Sequence, residues 1–248
     1  MTLINARFVD GDKFDTMIEH YKRYKEDVQH LKYLGVNSYR MSISWSRILP
    51  DGTLKGGINK EGINFYNNLI NELLANGIEP LVTILHFDYP LAIQQNIGGF
   101  LNHTIVKYYK DYCELLFKTY GDRVKHWTTT NEAQIVAIYT YMHGYDNDNA
   151  EPCQDLRICS QAYTVLHNFL ICHATATHLY RQKFQRVLRL GNKVRKRNER
   201  KSYIMQQEIP KREMECFSNS SCSCALSSLG EALSSLGELD RKCSFAAH

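Results

Sequence analysis

EPLVTIL, residues 79–85, is a short apolar run rich in β-forming residues, and the polar triplet His86-Phe87-Asp88 follows it directly. Its length suits a strand and its near-continuous hydrophobicity suits one buried on both faces, the condition of a strand inside a parallel sheet. The flanking sequence supports that reading. SYRMSIS (38–44) alternates apolar and polar residues like a strand, and RVKHWTTT (123–130) is a third strand candidate. Between them apolar residues recur at helical spacing: Phe14, Met17, Tyr21, Tyr24, Val28, Leu31 and Leu34 ahead of Gly35, then roughly 60–76 ahead of Gly77, then about 104–120 ahead of Gly121. An amphipathic stretch near 160–184 predicts a further helix. Helix and strand alternate with short connections, which argues for βα units and an α/β fold with a parallel sheet.

In such sheets chemistry gathers beyond the carboxyl ends of the strands. Three successive strand ends carry Trp45-Ser46-Arg47, His86-Phe87-Asp88 and Asn131-Glu132, residue types suited to one shared pocket. Taken singly, each has a plainer reading: Glu132 as an exposed loop carboxylate, His86 as a hydrogen-bonded core histidine, Tyr39, Trp45 and Phe87 as core. Their common placement favours a site for Glu132, Asn131 and His86.

Composition fits a globular chain, 44% hydrophobic and 23% charged over 248 residues. No uninterrupted apolar run approaches the ~18 residues of a membrane span, and no signal peptide is visible at the start of the sequence. No membrane partner is expected. The net charge of +4 conceals an asymmetry. Residues 186–212 hold ten Lys/Arg against two Glu, a local +8 on a body that sums to −4. That basic run lacks a nucleic-acid-binding motif and reads as a solvated face or a tail, so no nucleic-acid partner is expected. Further on, ALSSLGE occurs twice in tandem, at 225–231 and 232–238, inside a Ser-rich stretch. The chain therefore divides into an α/β part, 1–185, and a segment without an assigned fold, 186–248. No metal is expected: DNDNAEPC (146–153) lacks the glycine and terminal glutamate of a calcium loop, and Cys222 and Cys224 flank a single serine. Cys153 and Cys159 lie six apart and could close a small ring. Sequons stand at Asn102 and Asn219.

YKRYKEDVQHLKYLGVNSYRMSISWSRILPDG, GINKEGINFYNNLINELLANGIEPLVTILHFDYP, GGFLNHTIVKYYKDYCELLFKTYGDRVKHW and TNEA, in this order from about residue 15 to 185, resemble the plant β-glucosidases of glycoside hydrolase family 1. The resemblance implies a partial (β/α)8 barrel holding roughly the family's second to fourth strands and their helices, followed by an unstructured C-terminal tail. It implies retaining hydrolysis of a small-molecule β-glycoside without a cofactor. It also implies roles: Glu132 as general acid/base, Asn131 as holder of the sugar 2-hydroxyl, His86 as a binder of glycone hydroxyls, and Arg40 as the neighbour of the nucleophile. The pair Cys153–Cys159 resembles a loop disulfide of plant members. Family members are often secreted, vacuolar or plastid.

The sequence also departs from the family. Retention needs a second carboxylate about 5–5.5 Å from the first, and the family places it in a Thr-Glu-Asn-Gly tetrad that these 248 residues do not contain. Glu208 lacks the context and reads as a surface residue. The family's first strand, with its sugar-binding Gln, would precede residue 1. Phe87 stands where the family has Trp, and Ala133 where it has Pro. The expectation is a truncated product carrying the acid without the nucleophile, inactive alone; the alternative is a non-catalytic carbohydrate-binding or interaction fragment.

Overall fold

The computed structural model describes residues 19–142, 156–185 and 203–205. Four parallel strands form one sheet in the order β1 (Ser38–Ser42), β2 (Glu79–Leu85), β3 (His126–Thr130) and β4 (Tyr203–Met205). Helix α1 (His20–Tyr33) precedes β1. A short turn α2 (Trp45–Ile48) and the helix α3 (Lys60–Ala75) lead to β2. Then come α4 (Leu91–Ile97) and α5 (Ile105–Tyr120) before β3, and the single turn α6 (Ala133–Ile135) and the long α7 (Leu156–Leu179) after it. The strands and long helices fall where periodicity placed them. Strand β4 lies in the segment without an assigned fold, where its apolar run of three residues between Ser202 and Gln206 is too short to give a periodic signal. The rest of the segment after residue 185, and the helical reading before residue 19, lie outside the described residues.

Register explains which face is core. Met41, Val82 and Trp127 stand side by side, as do Ser42, Thr83 and Thr128 one residue later. The first row is buried beneath the helices, while Ser42 and Thr128 of the second are only half-buried. Side chains alternate across a strand, so the odd residues of β1 and β3 point out to the helices and the even ones point inward. Apolar residues of α3 (Phe65, Leu69, Ile70, Leu73) and α5 (Tyr109, Tyr112, Leu116, Phe117) fill the outer layer. Helix α5 is fastened to the sheet by its tyrosines: Tyr109 donates to the carbonyl of Thr129 at 2.6 Å and Tyr112 to that of Ile43 at 2.8 Å. Each buried hydroxyl thereby finds an acceptor that it would lack in an apolar layer.

Helix α7 covers β3. Its buried Ala162, Val165, Leu166, Phe169, Cys172 and Ala176 recur at three- and four-residue spacing. His173 Nδ1 lies 2.8 Å from Thr129 Oγ1, and burial, aided by the charge of Arg181, pushes its pKa down to about 4. A depressed histidine is neutral in the folded chain and takes its proton on unfolding. Stability from this group is therefore complete above the unfolded value near 6.5 and is lost as pH falls toward 4. Denaturant melts at pH 7 and pH 4.5 should differ by up to about 3 kcal/mol from this residue alone, at ~1.4 kcal/mol per unit. His173→Gln should flatten that dependence; an unchanged slope would show that the acid sensitivity lies elsewhere.

Candidate active site

The carboxyl ends of β1, β2 and β3 open at one mouth, and the backbone there departs from regular geometry. Asn131 donates its amide to the carbonyl of Leu85 at 2.9 Å, which carries the β2–β3 ladder one residue past the end of β3. Directly after it Glu132 sits at φ 41°, ψ 53°, and after His86 the residue Phe87 sits at φ 69°. Left-handed conformation is unfavourable for both residue types. Among the described residues only Glu19 is the further non-glycine in this region, so two of three such positions lie at adjacent strand ends. Backbone strain of this kind concentrates where a side chain must be aimed. Asparagine tolerates the left-handed region better, so Glu132→Asn should raise stability by about 1 kcal/mol in urea melts. A loss of stability would mean that the carboxylate contributes more than its backbone costs.

Glu132 is half-buried and Asn131 buried. Arg40, from β1, donates through Nη2 to Asn131 Oδ1 at 2.5 Å. The bond joins alternate strands, skipping β2, as side chains within one layer of a parallel barrel do. It leaves the Asn131 amide nitrogen, a donor, available for an acceptor such as a sugar hydroxyl. Arg40 itself is exposed, because no strand among the described residues covers the inward face beside β1.

His86, half-buried at the end of β2, has its pKa lowered by burial and by the positive charge of Arg40, with the Glu132 charge acting in the opposite direction. The three groups thus act on one another electrostatically. A neutral imidazole can both donate and accept, which suits it to a sugar hydroxyl. Below it, Asp88 turns back to accept from the amide of His86 at 3.3 Å. Burial raises the Asp88 pKa, while the Ser44 hydroxyl, backbone donors and the Arg47 charge hold it down. Ser44 in turn donates its amide to the Tyr66 hydroxyl at 2.9 Å, and Arg47 reaches the same oxygen at 3.1 Å. Asp88, Ser44 and Tyr66 thus brace the corner that presents His86. Sequence reading did not assign them this part; the only signal was the position of Asp88 two residues past a strand.

The structure brings together Arg40, His86, Asn131 and Glu132. Trp45, at the first strand end, is wholly buried, in line with its plainer reading as core, and stacks on Tyr112 at 4.8 Å and 3°. Its indole turns outward into the helix layer, where Gly52 O accepts its N–H at 3.2 Å. Cys153 lies outside the described residues, and with it the pairing to Cys159. Cys113 and Cys172 are buried free thiols. Among the described residues no group of three or more His, Cys, Asp or Glu could hold a metal, and no helix is long and apolar enough to cross a membrane.

Comparison with known proteins agrees with the fold. The glycosyl hydrolase family 1 pattern matches residues 2–211, past the limit read from the sequence blocks and across β4. Furcatin hydrolase of Viburnum furcatum is 47% identical over 180 residues, 72% of this chain and 34% of its own length. Beta-glucosidase 17 of Arabidopsis thaliana is 47% identical over 185 residues, 71% of this chain and 35% of its own. Among solved structures, a rice β-glucosidase superposes with a TM-score of 0.67 at 38% identity, over 75% of this chain and 40% of that one. A family 1 β-glucosidase from Thermotoga maritima does so with a TM-score of 0.63 at 41% identity, over 72% of this chain and 38% of that one. The chain spans about a third of the length of the curated relatives it matches.

Proposed function

The chain belongs to glycosyl hydrolase family 1, and on that premise we propose that its strand ends carry the acid/base half of a retaining β-glucosidase site. The observation that carries this reading is the strained Glu132 next to Asn131, whose side-chain oxygen Arg40 engages. Glu132 protonates the glycosidic oxygen as the bond breaks and later takes a proton from the attacking water. Asn131 donates its amide to the 2-hydroxyl, a bond worth most when it tightens in the transition state. His86, braced by Asp88, binds another glycone hydroxyl. The substrate is a small β-glycoside.

The nucleophile must come from outside these residues, so the test supplies it. Residues 19–185 replace the homologous third of furcatin hydrolase, and the chimera is assayed with an aryl β-glucoside. Hydrolysis that depends on Glu132 supports the acid/base role. A folded chimera indifferent to Glu132 overturns it, and a chimera that binds glucoside without any turnover favours the carbohydrate-binding reading.

A further inference from the structure

Of the two sequons, Asn102-His103-Thr104 falls among the described residues, and the catalytic reading makes no use of it. It lies where the single 3-10 turn Gly99–Leu101 passes into α5. Burial changes abruptly there. Phe100 and Ile105 are wholly buried, whereas Asn102, His103 and Thr104 between them are all exposed. Helix α7 holds the turn from below. Phe100 stacks on Phe169 with ring centroids 3.8 Å apart, and Asn168, itself buried, donates through Nδ2 to the Phe100 carbonyl at 2.7 Å. His103 Nδ1 lies 3.2 Å from Oδ1 of the same Asn168. One buried amide thus ties both sides of the turn, and the sequon stands out from a fixed base.

The two side chains that define the sequon leave their reactive groups to solvent. Asn102 Oδ1 accepts the backbone amide of Thr104 at 2.9 Å, the local turn that asparagine favours. That bond occupies the oxygen and leaves the amide nitrogen, a donor, without a partner among the described residues. Thr104 stands at the N-cap of α5, where a threonine hydroxyl ordinarily accepts an amide of the first turn. Here the backbone is already helical, φ −57° and ψ −24°, and the side chain makes no capping bond. Replacing one hydrogen on Asn102 Nδ2 therefore costs the turn nothing, since its bond runs through the oxygen.

We propose that Asn102 is an acceptor for an N-linked oligosaccharide. In the transfer Asn102 Nδ2 attacks the anomeric carbon of the reducing-end N-acetylhexosamine of a lipid-linked diphospho-oligosaccharide. The new C–N bond replaces the C–O bond to phosphate, the nitrogen gives up one proton, and the lipid diphosphate leaves. No oxidant or reductant takes part. His103 at the middle position is not a proline, and Thr104 supplies the hydroxyl by which the transferase recognises its acceptor. The finished fold must then leave room for a bulky, solvated group. A buried asparagine would push the sugar into the core; Asn102 holds it outside. Helix α5 runs back against the strands, its Tyr109 reaching the carbonyl of Thr129 near the end of β3. Asn102 thus stands in the outer helix layer, at the end of the sheet that carries Glu132. The inference rests on exposure and hydrogen bonding at this turn and holds whether or not Glu132 is a catalyst.

Transfer needs the compartment that holds the lipid-linked donor, so the test supplies entry to it. The full chain, fused behind a cleavable secretory leader, is translated in the presence of microsomes, and the glycan is read as a gel shift of the protease-protected product. This readout does not require the chain to fold. Asn219→Gln in the background isolates the first sequon. A shift of one glycan is expected, reversed by peptide N-glycosidase. Asn102→Gln, Thr104→Ala and His103→Pro should each abolish it, and Thr104→Ser should retain it in part. Protected chain without a shift, or a shift that survives Asn102→Gln, overturns the proposal. A second arm tests the placement on chain secreted from yeast. Peptide N-glycosidase should release the glycan without denaturant, and the far-ultraviolet spectrum should be the same before and after release. A glycan freed only by denaturation, or a spectrum that changes with its loss, would show that the fold does not hold Asn102 outside and would overturn the proposal. If nothing is secreted, the microsomal arm decides.

Discussion

Expressed as these 248 residues, the chain should hydrolyse an aryl β-glucoside no faster than background, and the same segment grafted into furcatin hydrolase should restore turnover that Glu132→Gln lowers by about 10²–10⁴-fold. The two halves share one physical cause. Retaining hydrolysis divides the work between a carboxyl that manages the proton and a carboxylate that forms the covalent intermediate, held about 5–5.5 Å apart. Glu132 is present at a strand end; the Thr-Glu-Asn-Gly tetrad that would carry its partner is absent from the sequence. Without a nucleophile, proton donation stabilises a leaving group that nothing displaces. Discontinuous assay with p-nitrophenyl β-glucoside reads the first half. Turnover above background by the wild-type chain that vanishes in Glu132→Gln would show that a carboxylate within these residues serves as nucleophile. In the graft, the loss should be greatest for poor leaving groups, since those need the proton most. The corresponding barrier change is about 3–5 kcal/mol.

Trp45→Ala should destabilise the folded chain by about 3–5 kcal/mol, enough to remove a large part of an ordinary domain's margin. The indole is fully buried, lies flat on Tyr112 at 4.8 Å and touches Tyr109 at 5.9 Å. Truncation removes that contact and opens a cavity between β1 and α5 that the rigid tyrosines cannot fill. It also strands the Gly52 carbonyl, which accepts the indole N–H at 3.2 Å, and an unmet buried acceptor adds to the cost. Urea melts followed by far-ultraviolet dichroism measure it. A loss under 1 kcal/mol would mean that the site collapses freely and that Trp45 is not the wedge between sheet and helix.

Trp45 also marks where sequence reading ends. It stands next to Ser44 and Ser46 immediately after a strand, and pattern alone offered both a place at the strand-end pocket and a place in the core. Which side of the sheet it faces follows from the turn α2 and from the space beneath α5, neither of which is written in the local sequence. His86 and Asn131-Glu132 were legible, because a strand with a sharp apolar boundary announces its own carboxyl end. Asp88 was visible as part of the same triplet, yet its return to the His86 amide depends on Phe87 adopting φ 69°, a conformation that its residue type disfavours. Strand β4 was illegible for another reason. Three residues hold too little periodicity to stand out, and a strand that short is stabilised mainly by the neighbour it pairs with.

The sequence by itself determined the α/β alternation, the long helices, the ends of three strands and the family, since each of these depends on residues near one another in the chain or on the order of long blocks. Only the tertiary structure decided that Arg40 meets Asn131 across 91 residues and that Glu132 is held in a left-handed turn. Those properties arise from register and curvature, which bring distant side chains to one face. Local periodicity carries no record of either.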